Sequence, residues 1–262
     1  MGFTDIHCHL IAGIDDGADS VEESLAMARM AVDDGVSTII CTPHQLGGFP
    51  ANRGADIRQH VCQLQALLAQ ENIPLSLLPG ADVRIEDDMI ARLRSGDVVS
   101  LGDHRRHVLL ELPHEMYFPL EPVLEQLVSL GMTGIFSHPE RNQGILRDPK
   151  LLAPLVRFGC LMQVTAGSLL GTFGERSKIL AEWMIEHRLV HFMATDAHGC
   201  KARRPLLARA HRRVAELADA RTADALCIHN PGTVAVGEEL DFVRPAAVKT
   251  GFSRWFGRGV AA

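Results

Sequence analysis

The chain alternates strand-like and helix-like segments about seven times along its length. Short apolar, β-branched runs occupy residues 3–8, 36–41, 75–78, 107–112, 133–137, 160–164 and 189–194. Helical patterns lie between and after them, at residues 20–35, 56–71, 87–95, 119–130, 149–158, 174–187 and 205–218. This order predicts parallel strands joined by helical crossovers. At 262 residues it predicts an α/β protein with one closed or distorted β/α barrel.

The composition narrows the class of protein. Hydrophobic residues make up 47% of the chain, enough for a large core, and the net charge of −6 disfavours a nucleic-acid partner. The first residues lack a basic stretch followed by an apolar one, and no run of about 18 apolar residues occurs. We therefore expect a cytoplasmic protein with no transmembrane segment. The six cysteines are far apart without a C-x-x-C pair, which favours reduced thiols.

Metal-binding residue types stand where predicted strands end. They are His7, His9, His44, Glu111, His138, Asp196 and His198. His7 and His9 are two residues apart and should point to the same face of a strand, as should Asp196 and His198. Glu111 lies in an apolar run, where a buried carboxylate requires a cation. Because barrel strands end at one face, this pattern predicts a polynuclear metal site there.

Each of these signals has a simpler interpretation when it is taken alone. A histidine pair occurs in many cores and surfaces, and Glu111 would also be satisfied by a buried ion pair. Asp82 follows a predicted strand and is also consistent with a solvated loop acid. Asp15 and Asp16 lie in a glycine-containing loop that could fold over metals, although for Asp15 we favour a simple turn. The combination, in this order along the chain, favours the metal site.

The candidate ligands also indicate the reaction. Imidazole and carboxylate groups without thiolates favour Mn, Fe, Zn or Co over a structural zinc site. Arg141 could hold a phosphate with two hydrogen bonds. Arg203 and Arg204 could form a second phosphate clamp, or simply a basic entry to a helix. Since no Cys-x5-Arg loop is present, a cysteinyl-phosphate intermediate is disfavoured, and we predict metal-assisted hydrolysis of a phosphate monoester.

Seven segments resemble the polymerase and histidinol phosphatase (PHP) superfamily, and within it the capsule-type metal-dependent protein-tyrosine phosphatases, the CpsB/YwqE group. They are residues 5–9, 13–18, 42–44, 110–113, 137–141, 167–174 and 196–198. The resemblance implies a distorted (β/α)7 TIM-like barrel that holds three divalent metals, often manganese. It assigns phosphoryl binding to Arg141 and Arg203. By position it gives the metal ligands as His7, His9, Asp16, His44, Asp82, Glu111, His138, Asp196 and His198.

The resemblance further implies a phosphotyrosine protein as substrate, namely a membrane tyrosine autokinase that controls capsule or exopolysaccharide synthesis. The protein would then be peripheral to the inner face of the membrane through that partner. The chain has one tyrosine, Tyr117, so a tyrosine-rich substrate would be another protein. His198 is a candidate proton donor, although a metal-bound histidine cannot also be a free acid. Members of the family usually have Glu at the position of Asp82. They often have basic residues just after the equivalent of His44, where this chain has residues Gln45 to Gly48.

Three other functions are compatible with the residues. The same chemistry could act on a small phosphate ester such as histidinol phosphate, the site could belong to a non-catalytic metal-binding regulatory subunit, or it could serve a metal-dependent nuclease. We predict a single barrel over residues 1–243. The basic segment 244–262 is either a docking segment for a partner or membrane surface, or a frayed tail.

Overall fold

A ring of parallel strands forms the centre of the protein in the computed structural model, which describes residues 2–240. The predicted tail, residues 244–262, lies outside the described residues. Strand pairing is parallel in both sheets of the described part. The strands are β1 (Phe3–Cys8), β2 (Val36–Cys41), β3 (His44–Gln45), β4 (Ser76–Pro79), β5 (Asp82–Arg84), β6 (His107–Glu111), β7 (Thr133–Ser137), β8 (Leu161–Thr165) and β9 (Phe192–Ala194).

The nine strands occupy seven positions around the ring. The order is β1-β2-β4 in one sheet and β3-β5-β6-β7-β8-β9 in the other. Two residues separate β2 from β3 and two separate β4 from β5, so each of these pairs is one interrupted strand. The ring closes between β9 and β1, where Asp196 N donates to His7 O at 2.7 Å and His9 N donates to Ala197 O at 2.9 Å. The predicted distorted (β/α)7 barrel is confirmed.

Helices surround the ring and supply the crossovers between strands. Helix α1 begins after Ser20, whose hydroxyl accepts a hydrogen bond from Glu23 N at 3.3 Å, as expected of a capping serine. No helix in the described residues is both long and apolar enough to cross a membrane. The helices are α1 (Val21–Asp33), α2 (Gly54–Gln70), α3 (Met89–Ser95), α4 (Glu121–Ser129), α5 (Gln143–Arg147), α6 (Leu152–Phe158), α7 (Ala166–Leu169), α8 (Glu175–Glu186), α9 (Ala208–Leu217), α10 (Ala220–Asp224) and α11 (Asn230–Ala235).

Two apolar clusters pack against the two faces of the ring. The larger one lies between strands and helices and includes Cys8. The smaller one fills the ring itself with side chains from β1, β2, β6, β7, β8 and β9. The register between β1 and β2 shifts between Asp5 and Cys8, so that Ile6 belongs to the inner cluster although Cys8, two residues later, belongs to the outer one. This irregularity turns His7 and His9 toward the open end of the barrel.

Some elements differ from the sequence-based prediction. The strand predicted at residues 189–194 is reduced to β9. The segments 44–45 and 82–84, which lie outside the predicted strands, form the short strands β3 and β5. Runs of two or three residues carry no periodicity, so only pairing in the sheet defines them. His44 pairs with Asp82, and Asp82 pairs with Leu109, which carries Asp82 into the fully buried part of the ring.

Candidate metal and phosphate site

The carboxyl ends of the strands bring together all nine predicted metal-ligand residues. Each belongs to at least one group of three or four side chains whose ligand atoms lie within 4.8 Å of one another. Residues as far apart in sequence as His7 and His198 therefore meet at one site. The groups are His9, Asp16, His44 and His198; His7, His9 and Asp82; His7, His138 and Asp196; and His44, Asp82 and Glu111. The ligand roles themselves stay predictions.

His7, His9 and Asp196 form the buried floor of the site. His7 Nε2 lies 3.3 Å from His9 Nε2 and 3.2 Å from Asp196 Oδ1, and His9 Nε2 lies 3.4 Å from that same oxygen. Ligand atoms that share one ion at bond lengths of about 2.1 Å lie roughly 3.0–3.5 Å apart. Burial disfavours the charged ring of His7, but Asp196 and Asp82 raise its pKa well above the ordinary value.

Asp16 reaches the site from the loop between β1 and α1. Its Oδ1 lies 3.2 Å from His198 Nε2 and 3.4 Å from His44 Nε2. Hydrogen bonding to these two histidines lowers the pKa of Asp16, which keeps its half-exposed carboxylate ionised. The spacing again suits ligands of one ion, and Asp16 completes the open side of the cluster.

Asp82 and Glu111 place two carboxylates on neighbouring strands. Asp82 Oδ2 is 3.5 Å from His7 Nε2 and 3.5 Å from His44 Nδ1, and Glu111 Oε2 is 3.8 Å from His44 Nδ1. Burial favours the neutral acid at Asp82, but His7 and His44 lower its pKa. Burial and the charge of Asp82 raise the pKa of Glu111 to about 7. Two adjacent carboxylates held this way favour a bound cation between them.

Two polar residues orient the histidine rings, and neither was assigned to the metal site from the sequence. Gln163 Oε1 lies 2.9 Å from His7 Nδ1, and Asp15 Oδ2 lies 2.7 Å from His9 Nδ1. Each oxygen accepts from the Nδ1–H, which leaves Nε2 of both rings toward the cluster. Asp15 Oδ1 also accepts from Gly17 N at 2.9 Å, so the turn interpretation of Asp15 is right but incomplete. The sequence offered one signal for this role of Asp15, namely an acidic residue that follows the His7 and His9 pair.

Backbone strain marks two of the predicted ligands. His138 has φ +36° and Asp196 has φ +51°, both in the left-handed region that side-chain-bearing residues seldom adopt. Such strain persists where surrounding contacts fix it, and it is common at functional sites. Burial and Arg141 lower the pKa of His138 far below its ordinary value, so its ring is neutral and able to bind a cation.

Two arginines converge beside the histidine cluster. Arg141 Nη1 and Arg203 Nη2 both donate to Asp196 Oδ2, the second at 2.5 Å. The guanidinium carbon of Arg141 lies 4.1 Å from the ring centre of Phe173, and that of Arg203 lies 5.7 Å from it. Phe173 thus makes a cation–π contact with each of the two arginines. Glu140 is buried and accepts a hydrogen bond from Thr165 N at 3.1 Å, which is a structural contact between neighbouring strand ends.

The residues present fit a cluster of divalent metals. Both oxygens of Asp82 are buried without a hydrogen-bond partner among the described residues. A buried carboxylate without hydrogen bonds is costly even beside His7 and His44, and a metal ion would satisfy both oxygens. The donors are imidazole nitrogens and carboxylate oxygens, and none of the residue groups capable of binding a metal in the described chain includes a cysteine.

A parallel β/α barrel with such a cluster at the carboxyl ends of its strands is typical of metal-dependent hydrolases. A phosphotriesterase homology protein from Escherichia coli shares the fold, with a TM-score of 0.58 at 10% identity over 88% of this chain and 98% of that one. That likeness concerns the fold alone.

The capsular polysaccharide synthesis family CpsB/CapC matches residues 3–235, and the chain belongs to it. It is 40% identical over 201 residues to tyrosine-protein phosphatase YwqE of Bacillus subtilis (strain 168), covering 76% of this chain and 78% of that protein. It is 27% identical to tyrosine-protein phosphatase CpsB of Streptococcus pneumoniae, over 89% and 98% of the two chains. The solved structure described as that of YwqE and CpsB, "unique metal-dependent tyrosine phosphatases", superposes with a TM-score of 0.89 at 34% identity, covering 94% and 99%.

Proposed function

We propose that this protein is a metal-dependent protein-tyrosine phosphatase. The observation that carries the proposal is the pair Arg141 and Arg203 beside the histidine and carboxylate cluster, both bound to Asp196 Oδ2. Two guanidinium groups next to a cation cluster suit a phosphate dianion, since each can donate two hydrogen bonds to its oxygens. Membership in a family whose relatives are named tyrosine phosphatases supports this activity.

The nine clustered residues would hold the metals. We propose three divalent ions with manganese favoured, as the family resemblance implies. The four overlapping groups contain only imidazole and carboxylate donors, which also suit Fe, Zn or Co. Bound ions would polarise the phosphoryl oxygens and lower the pKa of a water molecule toward neutrality. Gln163 and Asp15 hold His7 and His9 in the required tautomer.

The protein side chains would bind and stabilise the transferring group. Arg141 and Arg203 would hold the equatorial oxygens, and Phe173 would keep both guanidinium planes in place. A phenol leaving group has a pKa of about 10 and needs little proton donation. His198 Nδ1 lies 3.0 Å from the carbonyl oxygen of Asp196, so Nε2 faces Asp16, and this arrangement favours a ligand role for His198 over the donor role.

The partner we propose is a membrane tyrosine autokinase of capsule or exopolysaccharide synthesis, with the phosphatase on the cytoplasmic side and held near the membrane by that partner. The family description supports the pathway. The barrel would occupy residues 1–243, and residues 244–262 would form a separate basic tail.

The test compares phosphate release from a phosphotyrosine peptide and from histidinol phosphate, with and without manganese and chelator. We expect manganese-stimulated turnover of the peptide, and a loss of about 100-fold or more in kcat for Arg141→Ala with the metal content unchanged. The matched control is Arg147→Ala, an exposed arginine at the end of α5. Preference for histidinol phosphate would reject the substrate class, and metal binding without turnover of either compound would favour the regulatory-subunit alternative.

A further inference from the structure

A small arginine-lined cleft adjoins the proposed phosphate site. Its volume is about 110 Å³, and it shares Phe173 and Arg203 with that site. Arg204 and Arg209, both exposed, complete its charged wall. Of the described residues that line it, none is acidic. The cleft is thus a concentration of positive charge on an acidic protein.

Two of the three arginines of this cleft, Arg204 and Arg209, make no side-chain contact that stabilises the fold of the described residues. Within residues 2–240, neither Arg204 nor Arg209 has an ion pair or side-chain hydrogen bond. Arg209 lies in the first turn of α9, where the helix dipole disfavours a cation. The nearby acid Asp34 caps this helix, since its Oδ2 accepts from Leu207 N at 2.6 Å and Ala208 N at 2.8 Å. Asp33 and Asp34 line a different cleft, and Arg204 lies at its edge as well.

Arg203 connects the cleft to the site. Its Nη2 donates to Asp196, and its guanidinium lies over Phe173. Its Nε is buried and has no hydrogen-bond partner among the described residues. One side chain therefore lines both the proposed phosphate site and the cleft, so an anion in the cleft would lie directly beside the phosphate of the substrate.

We propose that Arg203, Arg204 and Arg209 form an anion subsite for a carboxylate or phosphate on a residue that flanks the phosphotyrosine of the substrate. This inference rests on the proposed function, and it adds a preference for acidic or multiply phosphorylated peptides. The volume suits one carboxylate or phosphate group. On the other side of the site, residues Gln45 to Gly48 carry no basic side chain, and the neighbouring Arg84 is paired with Glu111 at 3.4 Å.

The test measures binding of two peptides that carry phosphonomethylphenylalanine, a non-hydrolysable replacement for phosphotyrosine, to the metal-loaded protein. One peptide has glutamates and the other alanines beside that residue. We expect the glutamate peptide to bind about tenfold more tightly to the wild type, and Arg204→Ala with Arg209→Ala to remove most of that difference. Arg212→Ala, an exposed arginine on α9 outside the cleft, should retain it.

An equal affinity of the wild type for both peptides, or an equal loss for both in the double variant, would overturn the subsite. Binding of neither peptide would also overturn it. Turnover of a small aryl phosphate by the wild type tests the phosphatase function separately. Turnover without tighter binding of the glutamate peptide rejects only the subsite. Tighter binding of the glutamate peptide without turnover supports the subsite and counts against the phosphatase function.

Discussion

Asp15 accepts a hydrogen bond from His9, with 2.7 Å between Oδ2 and Nδ1, and its side chain is fully buried. The same oxygen accepts from His44 N at 3.0 Å, so one carboxylate ties two metal-binding segments together. Carboxylate–histidine pairs of this kind fix the ring orientation and raise the basicity of the other nitrogen. Asp15 is therefore part of the metal site although it is not a predicted ligand.

Replacing Asp15 by Asn should weaken metal binding about 10- to 100-fold, because His9 loses the charged acceptor that orients it. Competition titration with a chelator of known affinity measures the effect. Asp19→Asn, at an exposed acid in the same loop, should bind metal like the wild type. Equal affinities for the Asp15 and Asp19 variants would show that the contact does not support the site.

Removal of metal should destabilise the folded protein. The carboxylates of Asp82 and Glu111 belong to one ligand group and repel one another without a metal ion between them. Metal at roughly 1,000-fold above its dissociation constant would add about 4 kcal/mol to the free energy of unfolding. Urea unfolding with chelator and with manganese measures this difference.

Two variants test whether the stabilising metal binds at this site. Asp82→Asn should show a smaller gain from manganese, because one buried ligand charge is lost. Asp88→Asn, at an exposed acid that pairs with Arg92, should show the wild-type gain. The same gain in both variants would place the stabilising metal elsewhere.

Acid should destabilise the protein through His191. Burial lowers the pKa of this histidine to about 4, and its Nδ1 accepts a hydrogen bond from Met162 N at 3.1 Å. The folded ring stays neutral, while the unfolded ring gains a proton below its ordinary pKa of about 6.5. The unfolded state thus binds more protons, and stability is lost as the pH falls from about 6.5 to 4. Between pH 7 and pH 5 the loss is on the order of 2 kcal/mol.

His191→Gln should flatten that part of the dependence of unfolding free energy on pH, measured by urea titration at several pH values. The exposed His229→Gln is the control and should keep the wild-type slope. A slope in His191→Gln as steep as that of the wild type would assign the acid sensitivity to other groups.

Burial in the inner cluster should stabilise the barrel. Leu109 is fully buried within the ring, so Leu109→Ala should cost about 2–5 kcal/mol through lost burial and the remaining cavity. Val128 is 70% exposed on α4, and Val128→Ala should change stability by less than about 0.5 kcal/mol. Equal effects in thermal unfolding would mean that the ring interior repacks around the smaller side chain.

The periodic segments of the fold were predictable from sequence because their apolar patterns repeat over many residues. Strands β1, β2 and β7 have the predicted bounds, and α1 begins at Val21, one residue after the start of the predicted helical pattern. Short elements such as β3 and β5 were not predictable, because two or three residues carry no pattern and only pairing in the sheet creates them.

The sequence by itself determined the seven-fold alternation and the metal-binding residue types at the strand ends. Parallel connections then require those ends to meet, which is why separated histidines could be grouped in advance. Only the tertiary structure decided that Asp15 orients His9, that Gln163 orients His7, and that Phe173 lies beneath Arg141 and Arg203. Hydrogen bonds and ring contacts between distant segments depend on distances of a few tenths of an ångström, and residue type and spacing do not specify those distances.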